Sequence, residues 1–380
     1  MNKIKILISK LLIWVYDYVA YKECCKQYNR YLLRQNYKNA FVEGEDKYVK
    51  LWSTLSRRVE PYSYRFFSHY CGRTPYIIPE DIGHTIIERI LNPERFRPYY
   101  CDKNMYAQYI RKEYLPKTIL CRINGGGIMD VDLHLINEEQ LNSYLSSYNR
   151  IVLKPSIDSC SGIGVMLFVK AIDGRWICEK YGTELSYNFL KTYSNNFVLQ
   201  EAIEQHPYMA QFCSTSVNTL RLTVYRSVKT EEILIPSAIM RIGRNGEFVD
   251  NGHAGGAFIG LDLETGKVLN KFALNQYGDK FETWNDINYS QQQFQIPNWP
   301  KVLELAKYIG KSNRHCRLLA LDIAIDKDGM PRLIEYNCYA FSFWLFMYCG
   351  ETVLGQYTKE VIDYCKGKMM KLSVYINQDN

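Results

Sequence analysis

The sequence contains no C-x-x-C pair, although 12 cysteines are spread over its 380 residues. Apart from Cys24-Cys25 they fall singly, which predicts reduced thiols in a cytosolic compartment and excludes a disulfide framework or a cysteine-built zinc site. There is no basic stripe interleaved with aromatics. The net charge of +7 is spread among interspersed signs, so nucleic acid is not an expected partner. The apolar stretch Ile6–Tyr21 carries Lys10 and Asp17 and has no small-residue cleavage site, so it reads neither as a secretion signal nor as a spanning helix. No hexapeptide repeat is present, which excludes a left-handed β-helix acyltransferase. Neither a Walker A order nor a dinucleotide fingerprint occurs.

What the chain does have is the composition of a soluble globular protein, 47% apolar and 23% charged, with length enough for two or three subdomains. Tyrosine reaches 32 residues, but they are scattered and mark no site. A mildly positive charge suits an anionic ligand such as a nucleotide. Residues 1–95 read as helical, because apolar and aromatic residues recur at three- and four-residue spacing. Within them, residues 1–21 either pack on the protein's own body or lie on a membrane surface with Trp14 and Tyr16 at the interface, which would make the chain cytoplasmic and peripheral at the inner membrane. Packing on the body is the favoured expectation.

From about residue 115, short β-branched runs alternate with glycine and Asp/Asn clusters. Strands are expected at 118–123, 150–154, 164–169, 197–201, 218–228, 233–242, 257–262, 318–325 and 331–337. Helices are expected at 138–147, around 185–192, at 299–312 and at 355–366. These suggest a helical region over 1–95, a connecting segment over 96–149, a lid subdomain over 150–215 and a catalytic subdomain over 216–380.

Leu318–Asn337 carries the sharpest signal. Asp328-Gly329 between apolar runs predicts a two-residue hairpin turn, which places Asp322 opposite Glu335 with Asn337 on the same face. Facing carboxylates repel unless a cation lies between them, and two carboxylates with an amide oxygen suit Mg²⁺. The plainer alternative, an exposed polar hairpin face, conflicts with Leu321, Ile323, Leu333 and Ile334, which predict burial.

Arg150–Phe168 places Lys154 at a strand end before a loop containing Ser159, Ser161, Gly162 and Gly164, whose free N–H groups can cover phosphates. Alone it is equally a glycine-rich turn beside a lysine. The apolar strand ending in Gln200-Glu201 can read an adenine edge, with Glu204 beyond it for a ribose. Asn218, Thr219 and Arg221 enter the next strand and Arg241 the one after. Arginines inside apolar strands need anionic partners, either a structural carboxylate or a bound phosphate. In Val249–Gly260 the loop DNGHAGG holds His253; it is either a second anion cradle or a tight connection.

This ordered set resembles the ATP-grasp superfamily, and more narrowly its sugar-transfer-associated family. The narrower match rests on KPSIDSCSGIGV, SVNTLRL, DNGHAGGAFIG, LDIAIDKDGMPRLIEYN and, upstream, IPEDIGHTIIERILNPE and DKNMY. The resemblance covers roughly residues 75–350. It implies an α+β ATP-grasp fold in which two subdomains grip ATP behind a mostly helical N-terminal region. Lys154 and Lys103 would bind phosphates, Gln200 and Glu201 would line the adenine pocket, and Arg241 would sit on the γ-phosphate. Asp322, Glu335 and Asn337 would hold one or two Mg²⁺. The implied activity is an ATP-dependent ligase joining a carboxylate, such as an amino acid or acidic sugar, to an amine or other nucleophile in cell-surface polysaccharide or glycoconjugate assembly. A small-molecule or sugar kinase, or a non-catalytic nucleotide-binding partner of a glycosyltransferase, are the alternatives. Two features depart from the amino-acid ligases: Cys338-Tyr339-Ala340 replaces their proline-glycine turn, and the N-terminal region lacks their α/β texture.

Overall fold

A computed structural model describes residues 2–157, 162–250, 252 and 255–370; for residues 2–7, 9, 10 and 370 only the backbone is described. Ser159, Ser161 and His253 lie outside the described residues. The fold is α+β, a mostly helical N-terminal region followed by two seven-stranded antiparallel sheets.

Strands are numbered in chain order: β1 (Thr118–Arg122), β2 (Ile128–Met129), β3 (Arg150–Pro155), β4 (Met166–Lys170), β5 (Trp176–Cys178), β6 (Thr183–Glu184), β7 (Phe197–Glu201), β8 (Thr219–Arg226), β9 (Ile233–Ile242), β10 (Ala257–Gly260), β11 (Ala273–Leu274), β12 (Lys280–Phe281), β13 (Thr283–Trp284), β14 (Ile287–Asn288), β15 (Leu318–Ile325) and β16 (Pro331–Asn337). The first sheet runs β2-β1-β7-β3-β4-β5-β6 and the second β12-β11-β10-β9-β8-β15-β16, while β13 and β14 pair separately.

In the first sheet one face packs on the helices Glu138–Leu145 and Tyr187–Tyr193 through Leu141, Leu145, Leu153, Phe168, Leu190 and Leu199. The helix at 138 starts where the sequence supplies a reciprocal cap, Asn137 accepting from the Gln140 N–H and Gln140 from that of Asn137. The second sheet is covered on both faces. Helix Trp299–Ser312 covers one, meeting Leu222, Val224, Met240, Leu319 and Leu321. The N-terminal helices and Phe343–Tyr348 cover the other, meeting Tyr225, Ile239, Phe258, Leu318 and Ala320. Burial on both faces explains why β15 reads as a nearly unbroken apolar run; β8 alternates in sequence, Thr219, Arg221 and Thr223 with Leu220, Leu222 and Val224, yet is buried on both faces too. Thr219, Arg221, Arg241 and Asp322 occupy one end of the face that packs on the N-terminal helices, and Thr223 and Ser237 bond to each other at 2.7 Å farther along it.

The β15–β16 hairpin departs from expectation in two places. Its tip is a three-residue loop: Gly329, at φ +76°, donates to the Asp326 carbonyl at 2.9 Å, and Asp326 N–H donates to the Met330 carbonyl at 2.9 Å. Near the tip Ile325 therefore pairs with Pro331 and Ile323 with Leu333. An irregularity at Ile334 then takes one residue out of step, and Asp322 faces Glu335 after all. Leu333 and Tyr336 consequently both reach the core under helix Trp299–Ser312.

The N-terminal helix, Asn2–Arg34, buries side chains in its later half, at Cys24, Tyr28 and Leu32, and touches the body earlier through Trp14 and Tyr18 beside Arg58 and Tyr16 beside Arg89. The expectation that residues 1–21 pack on the protein's own body therefore holds only for one side of the helix, and Ile8, Leu11, Leu12, Val15 and Val19 remain exposed. Among the described residues no helix is long and apolar enough to cross a membrane.

Candidate functional site

Between the two sheets lies a cavity of about 450 Å³. The first sheet lines it with Val152, Lys154, Leu167, Gln200 and Glu201, and the second with Arg221, Arg241, Asp322, Glu335 and Asn337. Lys103 enters from a 3₁₀ turn, Lys103–Gln108, whose N-cap Asp102 accepts from Asn104 N–H at 2.9 Å; Lys103 N–H itself donates to the Ser156 carbonyl at 3.0 Å, tying the turn to the first sheet.

The charges are arranged in two sets. Asp322 Oδ2 lies 3.2 Å from Arg241 and 3.6 Å from Arg221, and Arg241 reaches Asp250 Oδ1 at 3.1 Å. Asp250 is in turn fixed by the Thr219 N–H, which donates to its Oδ2 at 3.0 Å, and by the Thr219 hydroxyl. On the other side Lys103 Nζ lies 3.1 Å from Glu335 Oε2, and Lys154 Nζ donates to the Ile334 carbonyl at 3.3 Å. The facing carboxylates are thus balanced by side-chain cations, and their repulsion does not by itself require a metal between them.

Burial shapes the ionisation of this group. Burial, then the adjacent Lys103, pulls Lys154 from 10.5 down to about 7, with Glu335 opposing. Arg221 is lowered, first by burial, although Asp322 supports its charge. Burial raises Asp250 despite Arg241. For Glu335 burial acts upward, but Lys103 and Lys154 outweigh it and hold the carboxyl below its ordinary value. Arg241 is similarly held above its ordinary value, with Asp250 and Asp322 outweighing burial.

Two buried polar atoms in this cluster, Asp322 Oδ1 and Arg221 Nε, have no hydrogen-bond partner among the described residues. A free carboxylate oxygen beside Glu335 and Asn337 fits a hard divalent cation that completes its shell with phosphate and water. Among the described residues no group of three or more His, Cys, Asp or Glu forms a ready-made metal cluster, so Asn337 and ligand oxygens would have to contribute.

Of the residues singled out in the sequence, Lys103, Lys154, Gly162, Gln200, Glu201, Arg221, Arg241, Asp322, Glu335 and Asn337 line the cavity together. Gln200 donates to Thr118 Oγ1 at 3.1 Å. Three others do not line it. Asn218 is a buried structural tie, its amide donating to Gln205 Oε1, Met209 O and Cys213 O at 2.9–3.0 Å. Glu204 is exposed and pairs with Lys327 at 2.9 Å, although its neighbours Ile203 and Gln205 line the cavity. Gly164 holds φ +79° at the loop's return, and its carbonyl accepts from Tyr193. Sequence reasoning gave Asp250 no role of its own, although an acid next to the glycine loop was a natural partner for a strand arginine. It also missed Trp344 and Ser342 on the cavity wall, which carried no local signal.

No curated protein matches the chain. Three solved structures are similar at low identity. The L-amino acid ligase from Bacillus licheniformis is 12% identical with a TM-score of 0.34, over 66% of this chain and 46% of that one. The 2-oxoglutarate carboxylase biotin carboxylase domain of Hydrogenobacter thermophilus, solved with MgADP and bicarbonate, is 11% identical with a TM-score of 0.41, over 73% and 48%. D-alanine–D-alanine ligase from Bacillus anthracis is 11% identical with a TM-score of 0.38, over 72% and 68%. The chain spans less than half the length of the first two. A family model, sugar-transfer associated ATP-grasp, matches residues 84–362, the stretch that contains both sheets and every charged residue of the cavity. On that match the chain belongs to the sugar-transfer-associated ATP-grasp family.

Proposed function

We propose that the cavity binds Mg-ATP and that the chain is an ATP-dependent ligase that activates a carboxylate as an acyl-phosphate. One observation carries this reading: four cationic side chains, Lys103, Lys154, Arg221 and Arg241, face three carboxylates, Asp250, Asp322 and Glu335, at the inner end of one cavity. A surplus of buried cation is costly without an anion, and a triphosphate supplies one.

In this reading Lys103 and Lys154 grip the phosphates, with Gly162 on the same cavity wall. Gln200 and Glu201 line the side of the cavity given to the base. Arg241, with Arg221 behind it, takes the terminal phosphate. Asp322, Glu335 and Asn337 would hold one or two Mg²⁺, which would neutralise phosphate charge. A substrate carboxylate oxygen attacks the terminal phosphorus and ADP leaves; an amine or other nucleophile then attacks the acyl carbon, loses its proton and displaces phosphate. The arginines and lysines lower the barrier by holding charge in place. Family membership supports a role in cell-surface polysaccharide or glycoconjugate assembly, at the cytoplasmic side and beside a glycosyltransferase, with an amino acid or acidic sugar as the carboxylate.

The test is turnover of ATP and Mg²⁺ with amino acids, amino sugars and uronic acids in the presence of hydroxylamine. Hydroxamate formation is expected. A phosphorylated acceptor that resists hydroxylamine would make the protein a kinase, and folded protein that fails to bind Mg-ATP would overturn both readings.

A further inference from the structure

The N-terminal helix has an outward face that changes character along its length. Ile8, Leu11, Leu12, Val15 and Val19 are 43–63% exposed, on the side opposite Cys24, Tyr28 and Leu32, which pack on the body. Further along the same face the exposed residues become Lys22, Lys26 and Arg30, with Glu23 the acid beside them. Steps of three and four residues join Leu11, Val15, Val19, Lys22, Lys26 and Arg30 into one row. So large an apolar patch calls for a partner surface.

Aromatic rings are interleaved with the aliphatic residues of the first half. Trp14 and Tyr18 stack with ring centroids 5.6 Å apart, and Arg58 lies 5.3 Å and 5.1 Å from their centroids. Lys22 sits 5.6 Å from the Tyr18 ring and Arg89 5.8 Å from that of Tyr16. Exposed aliphatic residues, aromatic rings and a row of cations on one helix are the set that an interfacial helix presents to the acyl boundary, the interface and the anionic headgroups of a bilayer, and Lys22, Lys26 and Arg30 with Arg58 and Arg89 nearby complement an anionic surface.

We infer that this face docks the protein on an anionic membrane surface, residues 8–19 entering the interface and Lys22, Lys26 and Arg30 meeting headgroup phosphates. The helix lies on the bilayer rather than crossing it, since no described helix is long and apolar enough to span. The inference is independent of the chemistry assigned to the cavity.

The test is co-sedimentation of the full chain with vesicles of phosphatidylcholine alone and of phosphatidylcholine mixed one-to-one with phosphatidylglycerol. Binding to the mixed vesicles is expected, with a blue shift of fluorescence that is absent from Trp14→Phe. Lys22→Gln and Lys26→Gln should each weaken partitioning about five-fold. The pair Leu11→Glu and Val15→Glu, both at exposed positions, should weaken it at least about tenfold with the circular dichroism spectrum unchanged. Equal binding to both vesicle types, or none to either, overturns the inference. So does a concentration-dependent dimer that shifts Trp14 fluorescence without lipid, which would assign the face to a second copy of the chain.

Discussion

Lys154 of the first sheet donates to the main-chain oxygen of Ile334 in the second, at 3.3 Å. The carbonyl stands at the irregularity in β16 that brings Glu335 opposite Asp322. One lysine therefore bridges the two sheets across the cavity and reports the register of the hairpin.

Because burial and Lys103 hold Lys154 near pH 7, much of it is neutral at pH 8. Triphosphate favours the charged form and raises the value again, so nucleotide binding at pH 8 should take up a proton, and affinity should fall as pH rises above about 7. Calorimetry in buffers of different ionisation enthalpy measures the uptake. Lys154→Met should abolish it and cost about 2–3 kcal/mol of binding.

Glu335→Gln keeps the shape of the side chain but removes the charge that faces Lys103 at 3.1 Å. Turnover should fall by about 10²–10³-fold with an unchanged circular dichroism spectrum. Near-normal turnover of this variant would mean that Glu335 holds no metal.

Glu88 accepts the Ala340 and Phe341 N–H groups at 3.2 and 2.6 Å, fixing a loop in which Ala340 and Ser342 both have positive φ and line the cavity. His84 bridges Glu88 and Glu80 at 3.0 and 2.9 Å from the helical region. Glu88→Ala should therefore cost about 1–3 kcal/mol of stability and raise the KM of the second substrate more than that of ATP. Equal effects on both substrates would show that the loop does not border the acceptor.

Glu60 and Asp81 are buried carboxylates, and burial raises both above their ordinary values. The folded state thus binds their protons more tightly than the unfolded state does. Stability from this source is fully present below about pH 4, where both states are protonated, and is lost as pH rises through the folded values. Thermal unfolding should show a decline from pH 5 toward pH 8, and Glu60→Gln should flatten it.

Much of this architecture was legible because apolar periodicity is a local property. Strands 233–242, 318–325 and 331–337 and helix 299–312 match their expected bounds: 318–325 is buried along its length, the other two strands keep no fully exposed residue, and the helix buries one clear stripe from Trp299 to Gly310. The opposition of Asp322 and Glu335 was also foreseen, but through a turn that does not exist: a longer loop and a later irregularity cancel. Which charge meets which was not legible. Asp250 reaches Arg241 only because a loop folds back over β9, and Glu88 reaches Ala340 across some 250 residues of chain. The short strands β2, β5, β6 and β11–β14 were missed, being too brief to show a period.

The slip at Ile334 has a consequence for how this hairpin tolerates change. Everything on the cavity side of the slip is set by pairing with β8 and by the Lys154 tether, and everything beyond it by the loop at Lys327–Gly329. Residues inserted or deleted at the tip can be absorbed before they displace the carboxylates, leaving the outer end of the hairpin free to vary while the inner end keeps time with the chemistry.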